Sequence, residues 1–178
     1  MKIFIQITVL IGCAASIGVV VFAIVVLLKK VIYQPPSDQT EDQDKTSNYF
    51  FALALCLFLS FTSFLGGKEL IRRDFHKAIK EKKIVSVEAN GFFFSQEDSA
   101  DLFTKFDSDP GRYHCDTFLG SINFENNEYI PIEIIRHCYE RNQYIIISKQ
   151  YPLDATIGII NTSKFDFIQN DSISVSQP

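Results

Sequence analysis

Two long apolar runs fill much of the first half of this chain. Ile3–Leu28 is twenty-six residues without a charge, and Gln6 is its one side-chain amide. As a helix it measures about 39 Å, more than the ~30 Å hydrocarbon core of a bilayer. Tyr49–Gly67 is nineteen uncharged residues, about 28 Å as a helix, just long enough to cross. After residue 83 the pattern changes to short alternating or β-branched runs separated by turns, as strands require, with one helical stretch among them.

The pattern divides the chain into six segments. Residues 1–28 read as a first transmembrane helix. Residues 29–48 contain Pro35-Pro36 and an acidic run from Ser37 to Lys45, and read as a polar loop. Residues 49–67 read as a second span. Residues 68–83 read as a basic helix, either amphipathic on a lipid surface or continuing the second span as a stalk packed on the domain after it. Residues 84–169 form a small domain, and residues 170–178 a polar tail. The fold class is therefore a membrane-anchored α+β protein. A two-helix transmembrane hairpin precedes a small domain with a mainly antiparallel sheet and one helix.

Within the domain, Lys83–Ala89 and Phe92-Phe93-Phe94 flank Asn90-Gly91, the sequence of a type I′ hairpin. Three consecutive phenylalanines cannot all face one side of a sheet, so at least one ring points away from the core. Ser95 followed by Gln96-Glu97-Asp98 opens a helix whose apolar face is Ala100, Leu102, Phe103 and Phe106. Strands are expected at 112–118, 121–124, 129–137, 144–149 and 156–161, too closely spaced for parallel crossovers. Pro131 predicts an edge strand or a bulge.

Two other readings of the first run are weaker. A cleaved signal peptide has an apolar core of about 7–15 residues, shorter than this one. Leu10-Ile11-Gly12-Cys13 fits a lipoprotein cleavage pattern, yet the residues after Cys13 stay apolar for fifteen positions. An uncleaved span is the expectation. Gly12 with Ser16, and Ala14 with Gly18, make small-residue pairs at four-residue spacing. Ala52, Cys56 and Ser60 do the same on the second run. Such spacing lets helix backbones approach closely in lipid, either within one hairpin or between copies in a homo-oligomer.

Charge adds orientation. Lys68, Arg72, Arg73, Lys77, Lys80, Lys82 and Lys83 come after the second run, and Lys2 precedes the first. Lys29, Lys30 and Lys45 lie between the runs. Eight against three places both termini on the cytoplasmic side of an inner (plasma) membrane. The seven clustered basic residues lie where anionic headgroups would be. Residues 84–178 carry six basic and fourteen acidic side chains, which disfavours nucleic acid and suits a basic protein partner.

Candidate chemistry is sparse. His114-Cys115 and His137-Cys138 are two adjacent pairs, but neighbours on a strand point to opposite faces, so at most one residue of each pair reaches a common metal. The spacing is not that of a structural zinc site, and a thiol nucleophile would need an orienting base that nothing marks. One Cys pair in the domain is no disulfide scaffold. Asp107 and Asp109 lack the later Glu of a calcium loop. No phosphate loop or hydrolase motif is present, and no cofactor is expected. The expectation is a non-enzymatic membrane protein whose acidic domain binds a protein, as an accessory subunit or a toxin-neutralising immunity-type protein. The alternative is a membrane-anchored metal or redox sensor using the His/Cys pairs.

Overall fold

Both apolar runs are helical, and the rest of the fold is a sheet. The computed structural model describes residues 2–32, 41–99, 101–107, 114–140, 142–166 and 168. The helix α1 spans Lys2–Ile32 and α2 spans Glu41–Glu81. Strands β1 (Ile84–Ala89) and β2 (Phe92–Phe94) precede the short helix α3 (Gln96–Ser99). Then come β3 (His114–Phe124), β4 (Tyr129–His137), β5 (Gln143–Ser148) and β6 (Ala155–Asn161). The chain forms two compact units, Met1–Gly67 and Lys68–Pro178.

Both helices are long and apolar enough to cross a membrane. Their large side chains, among them Phe4, Leu10, Ile17, Phe51, Phe58 and Phe61, are exposed. The boundaries differ from the sequence reading. The second helix starts at Glu41, so the last eight residues of the expected loop are helical; Pro35-Pro36 lies outside the described residues. Extending an existing helix is far easier than nucleating one, and residues 41–48 contain neither Pro nor Gly. The basic segment continues the same helix, which runs through Gly66-Gly67 as far as Glu81.

In the first unit α1 and α2 run antiparallel in contact. The Ser16 and Ser60 hydroxyls share a hydrogen bond of 2.7 Å. A Cβ on Gly12 would stand 3.2 Å from Ser63 Cβ, and one on Gly18 would stand 3.1 Å from Cys56 Sγ. Small residues are thus what lets the backbones come this close.

The second unit is built on one six-stranded antiparallel sheet in the order β2-β1-β3-β4-β5-β6. Asn90 and Gly91 both have positive φ, 51° and 81°, as a type I′ turn between β1 and β2 demands. The expected break between two strands near 119–120 is absent, because β3 is one eleven-residue strand. Gly120 serves another purpose there. A Cβ on it would lie 2.3 Å from the Glu88 carbonyl oxygen of β1, so only glycine admits that approach.

Pro131 sits inside the sheet, on β4 between β3 and β5. Its carbonyl accepts from Lys149 N at 2.9 Å, so its missing N–H also faces β5. The β4–β5 ladder stops there, at the Ile132↔Ser148 pair. The expected helix over 96–106 is only one turn long. Asp107 exchanges two backbone hydrogen bonds with Ile159 of β6, at 2.8 and 3.0 Å, so the chain has become extended by that point. Leu102 and Phe103 still reach the core. Of the expected 112–118 strand, Arg112 and Tyr113 lie outside the described residues, as does the tail.

One face of the sheet carries the main core: Val87, Phe118, Ile122, Ile132, Ile134, Tyr144 and Ile146. The last three turns of α2 supply Phe75, with Ala78 and Ile79 beside it, at helical spacing. Phe75 is 1% exposed and meets Phe106 edge to face at 6.0 Å. Tyr151 donates to Asp74 Oδ2 at 2.6 Å and ties α2 to the loop after β5. Phe75→Ala should destabilise the second unit by about 3–5 kcal/mol, since it removes a whole buried ring. Denaturant unfolding of the full chain in micelles, monitored by near-ultraviolet dichroism of the domain's aromatics, reads this directly.

Candidate functional site

The end of the β3–β4 ladder gathers more chemistry than any other described place. Register brings His114 opposite His137, and shifts between His114 and Thr117. The irregularity lets Cys115 and Cys138 meet, and they form a disulfide with Cα atoms 5.1 Å apart. Both residues are exposed. His137 Nδ1 accepts from the backbone N–H groups of Glu140, at 3.1 Å, and Tyr139, at 3.4 Å, and so caps the turn after β4.

This arrangement bears on the metal candidates. Sulfurs bonded to each other offer no thiolate to a metal or to an acyl centre, and the His137 Nδ1 lone pair already has donors. Among the described residues no group of three or more His, Cys, Asp or Glu is placed to hold a metal ion. Sequence alone places the two pairs on strands. Their joining as Cys115–Cys138 depends on the register shift, which leaves no mark in the sequence.

Beside the disulfide lies a polar knot that sequence reasoning missed. Arg136, one residue from His137, reaches Asp116 Oδ2 at 3.3 Å. Its Nη2 donates to the carbonyls of Phe165 at 2.9 Å and Ile168 at 2.8 Å. Its guanidinium lies 5.7 Å over the Tyr144 ring, and its Nε is buried without a partner among the described residues. Tyr144 is fully buried and donates to Asp166 Oδ1 at 2.7 Å. Arg136 and Tyr144 thereby hold the turn that sets Phe165 and Ile168 in the core. An arginine at the position that continues the alternating Ile130, Ile132 and Ile134 series is the one sequence signal that could have pointed here.

The small-residue candidates divide. Gly12, Ser16, Gly18, Cys56 and Ser60 line the α1–α2 contact. Ala52 is half-buried, and Ala14 is exposed. The basic candidates divide too. Arg73 pairs with Glu69 at 2.9 Å and Lys77 with Glu81 at 3.9 Å along α2. Lys82 pairs with Glu128, and Lys83 with Glu125 at 3.5 Å, on the β3–β4 turn. Lys68 and Lys80 are exposed, and Arg72 is half-buried. The unit that contains them, Lys68–Pro178, carries thirteen basic and seventeen acidic residues, so its acidic excess is half that of 84–178 alone.

The other face of the sheet is apolar in places. Ile135, Ile145 and Ile159 with Ile147 form a small cluster of their own. The register puts Leu119 in the row Leu119–Glu133–Ile147 and Phe93 in the row Phe93–Glu88–Ser121–Pro131 of that face. Leu119 is 69% exposed and Phe93 73%, whereas Phe94 is buried. No family model matches the chain, and no curated protein or solved structure matches it.

Burial, with the Asp166 hydrogen bond second, pushes the Tyr144 phenol up to about 12. The phenol of an unfolded chain ionises near pH ~10. The fold therefore holds this proton more tightly between those values. The stability it contributes is complete below pH ~10 and is lost as pH rises through about 12. Tyr144→Phe should remove this part of the alkaline loss. At neutral pH it should cost about 1.5–3 kcal/mol through the lost bond to the Asp166 carboxylate. Tyrosinate absorbance and denaturant midpoints across the alkaline range measure both effects.

Proposed function

We propose that this chain is a two-span integral membrane protein of an inner (plasma) membrane, non-enzymatic, whose sheet domain binds a protein partner. The length and outward apolar surface of α1 and α2 support embedding. The eight-to-three distribution of Lys and Arg supports both termini on the cytoplasmic side.

One observation carries the binding role: Phe93 and Leu119 stand exposed on the sheet face away from the main core. Large apolar side chains held on a rigid sheet are suited to a partner's pocket. Glu88 stands beside Phe93 in its row, which fits a partner presenting a basic group next to an apolar centre, while Glu133 beside Leu119 is already paired with Lys149. An accessory subunit or an immunity-type protein would have such a face. The smaller acidic excess of the compact unit makes the apolar pair the main anchor and charge the lesser one. The metal form of a sensor finds its sulfurs already bonded; the disulfide favours the redox form, which bears on regulation.

A photo-crosslinking amino acid at 93 or 119 of the full chain, in its native membrane, tests the role. A discrete adduct with one other protein is expected at both positions. Labelling confined to lipid, or an adduct of two copies of this chain, would sink it. A reporter fused after Pro178 tests orientation, and activity of a reporter that works only outside the cytoplasm would reverse it.

A further inference from the structure

The Cys115–Cys138 bond sits close in sequence to a contact that holds the core closed. Cys115 precedes Asp116, and Cys138 lies two positions after Arg136. Asp116 and Arg136 are the ion pair, and the same guanidinium pins the Phe165 and Ile168 carbonyls. The rest of the β3–β4 ladder, from Thr117↔Ile135 to Asn123↔Tyr129, runs on without the disulfide, and the main core lies along it. Cleaving the bond therefore frees the end of the ladder and spares the sheet.

We propose that Cys115–Cys138 is a redox-responsive latch on the Asp116–Arg136 contact, closed by small-molecule disulfides and opened by thiols. This rests on the cytoplasmic placement proposed for the domain, because cytosolic disulfides are characteristically transient or redox-sensing. The chemistry is two thiol–disulfide exchanges. A thiolate of the pair attacks a small disulfide, forming a mixed disulfide and expelling one small thiolate. The second protein thiolate attacks the protein-side sulfur, forming the Cys115–Cys138 bond and expelling the other. The protein dithiol loses two electrons, and the small disulfide becomes two thiols that take up the protons. Both cysteines are exposed, so such a reagent reaches them, and their Cα separation lets the bond close with the strands in place. Closed, the latch holds Asp116 against Arg136 and keeps the Ser163–Asp166 turn seated. Open, it lets the strand end fray and loosens that turn.

Hydrogen exchange on the full chain in micelles, with and without dithiothreitol, reads the latch. Reduction should bring loss of protection at the amides of Asp166 and Ile168, with Ile132 and Ile134 unchanged. Oxidised Cys115→Ser/Cys138→Ser protein should behave as the reduced wild type. Equal protection at Asp166 and Ile168 in both redox states of the wild type overturns the proposal, whether or not the variant folds. In intact cells, maleimide trapping should find the pair as thiols at rest and bonded after diamide. A bond already complete in resting cells also overturns it. If the reporter after Pro178 then shows the cytoplasm, only the latch has failed; if it shows the outside, the orientation has failed with it.

Discussion

The second unit depends on the apolar face of α2's last turns against the sheet. A twisted antiparallel sheet with one apolar face must cover that face. The helix α3 is a single turn and offers little cover. Phe75, with Ala78 and Ile79 packed beside it, joins Val87, Ile122 and Ile134 in the main core. The Asp74–Tyr151 bond fixes the rotation of the helix about its axis, so the ring enters and the charged side of the helix stays out. The segment that reads as a basic appendix of the second apolar run is structurally part of the domain.

That placement changes the electrostatics. Lys82 and Lys83 leave the helix end and meet Glu128 and Glu125 on the β3–β4 turn. These pairs are exposed, and each contributes little to stability. Their consequence is to cancel charge where the sequence shows one basic block and one acidic block. Across the sheet, Lys149 joins Glu133 and Asp154, both at 2.6 Å, with the same effect. The outer sheet face therefore presents apolar side chains with a muted field around them.

At the opposite end of β4 the polar chemistry is turned inward. Arg136 follows the core-facing Ile130, Ile132 and Ile134 on β4, and its donors go to the carbonyls of Phe165 and Ile168 after β6. Its charge is balanced by Asp116 on the neighbouring strand. Such a group is costly if its partners leave, which gives the adjacent disulfide leverage over the turn that seats Phe165.

The sequence by itself determined what depends on local pattern. Uncharged length fixed two long helices, and Asn90-Gly91 fixed a hairpin because both positions need positive φ. Alternation fixed β4 to the residue, and the antiparallel character came from short connections. Tertiary structure decided what depends on residues far apart. Gly120 reads as a break and is a point of close backbone approach, because Glu88 lies thirty-two positions away. The helix opening at Ser95 reads as three turns and ends after one, because Asp107 is claimed by Ile159. Pro131 reads as an edge and lies within the sheet, because its missing donor falls where the ladder already stops. The Cys115–Cys138 bond and the Arg136 knot arise from a shift in register between His114 and Thr117. Local propensity carries no record of such a shift, since strand pairing is settled by the packing of the whole sheet.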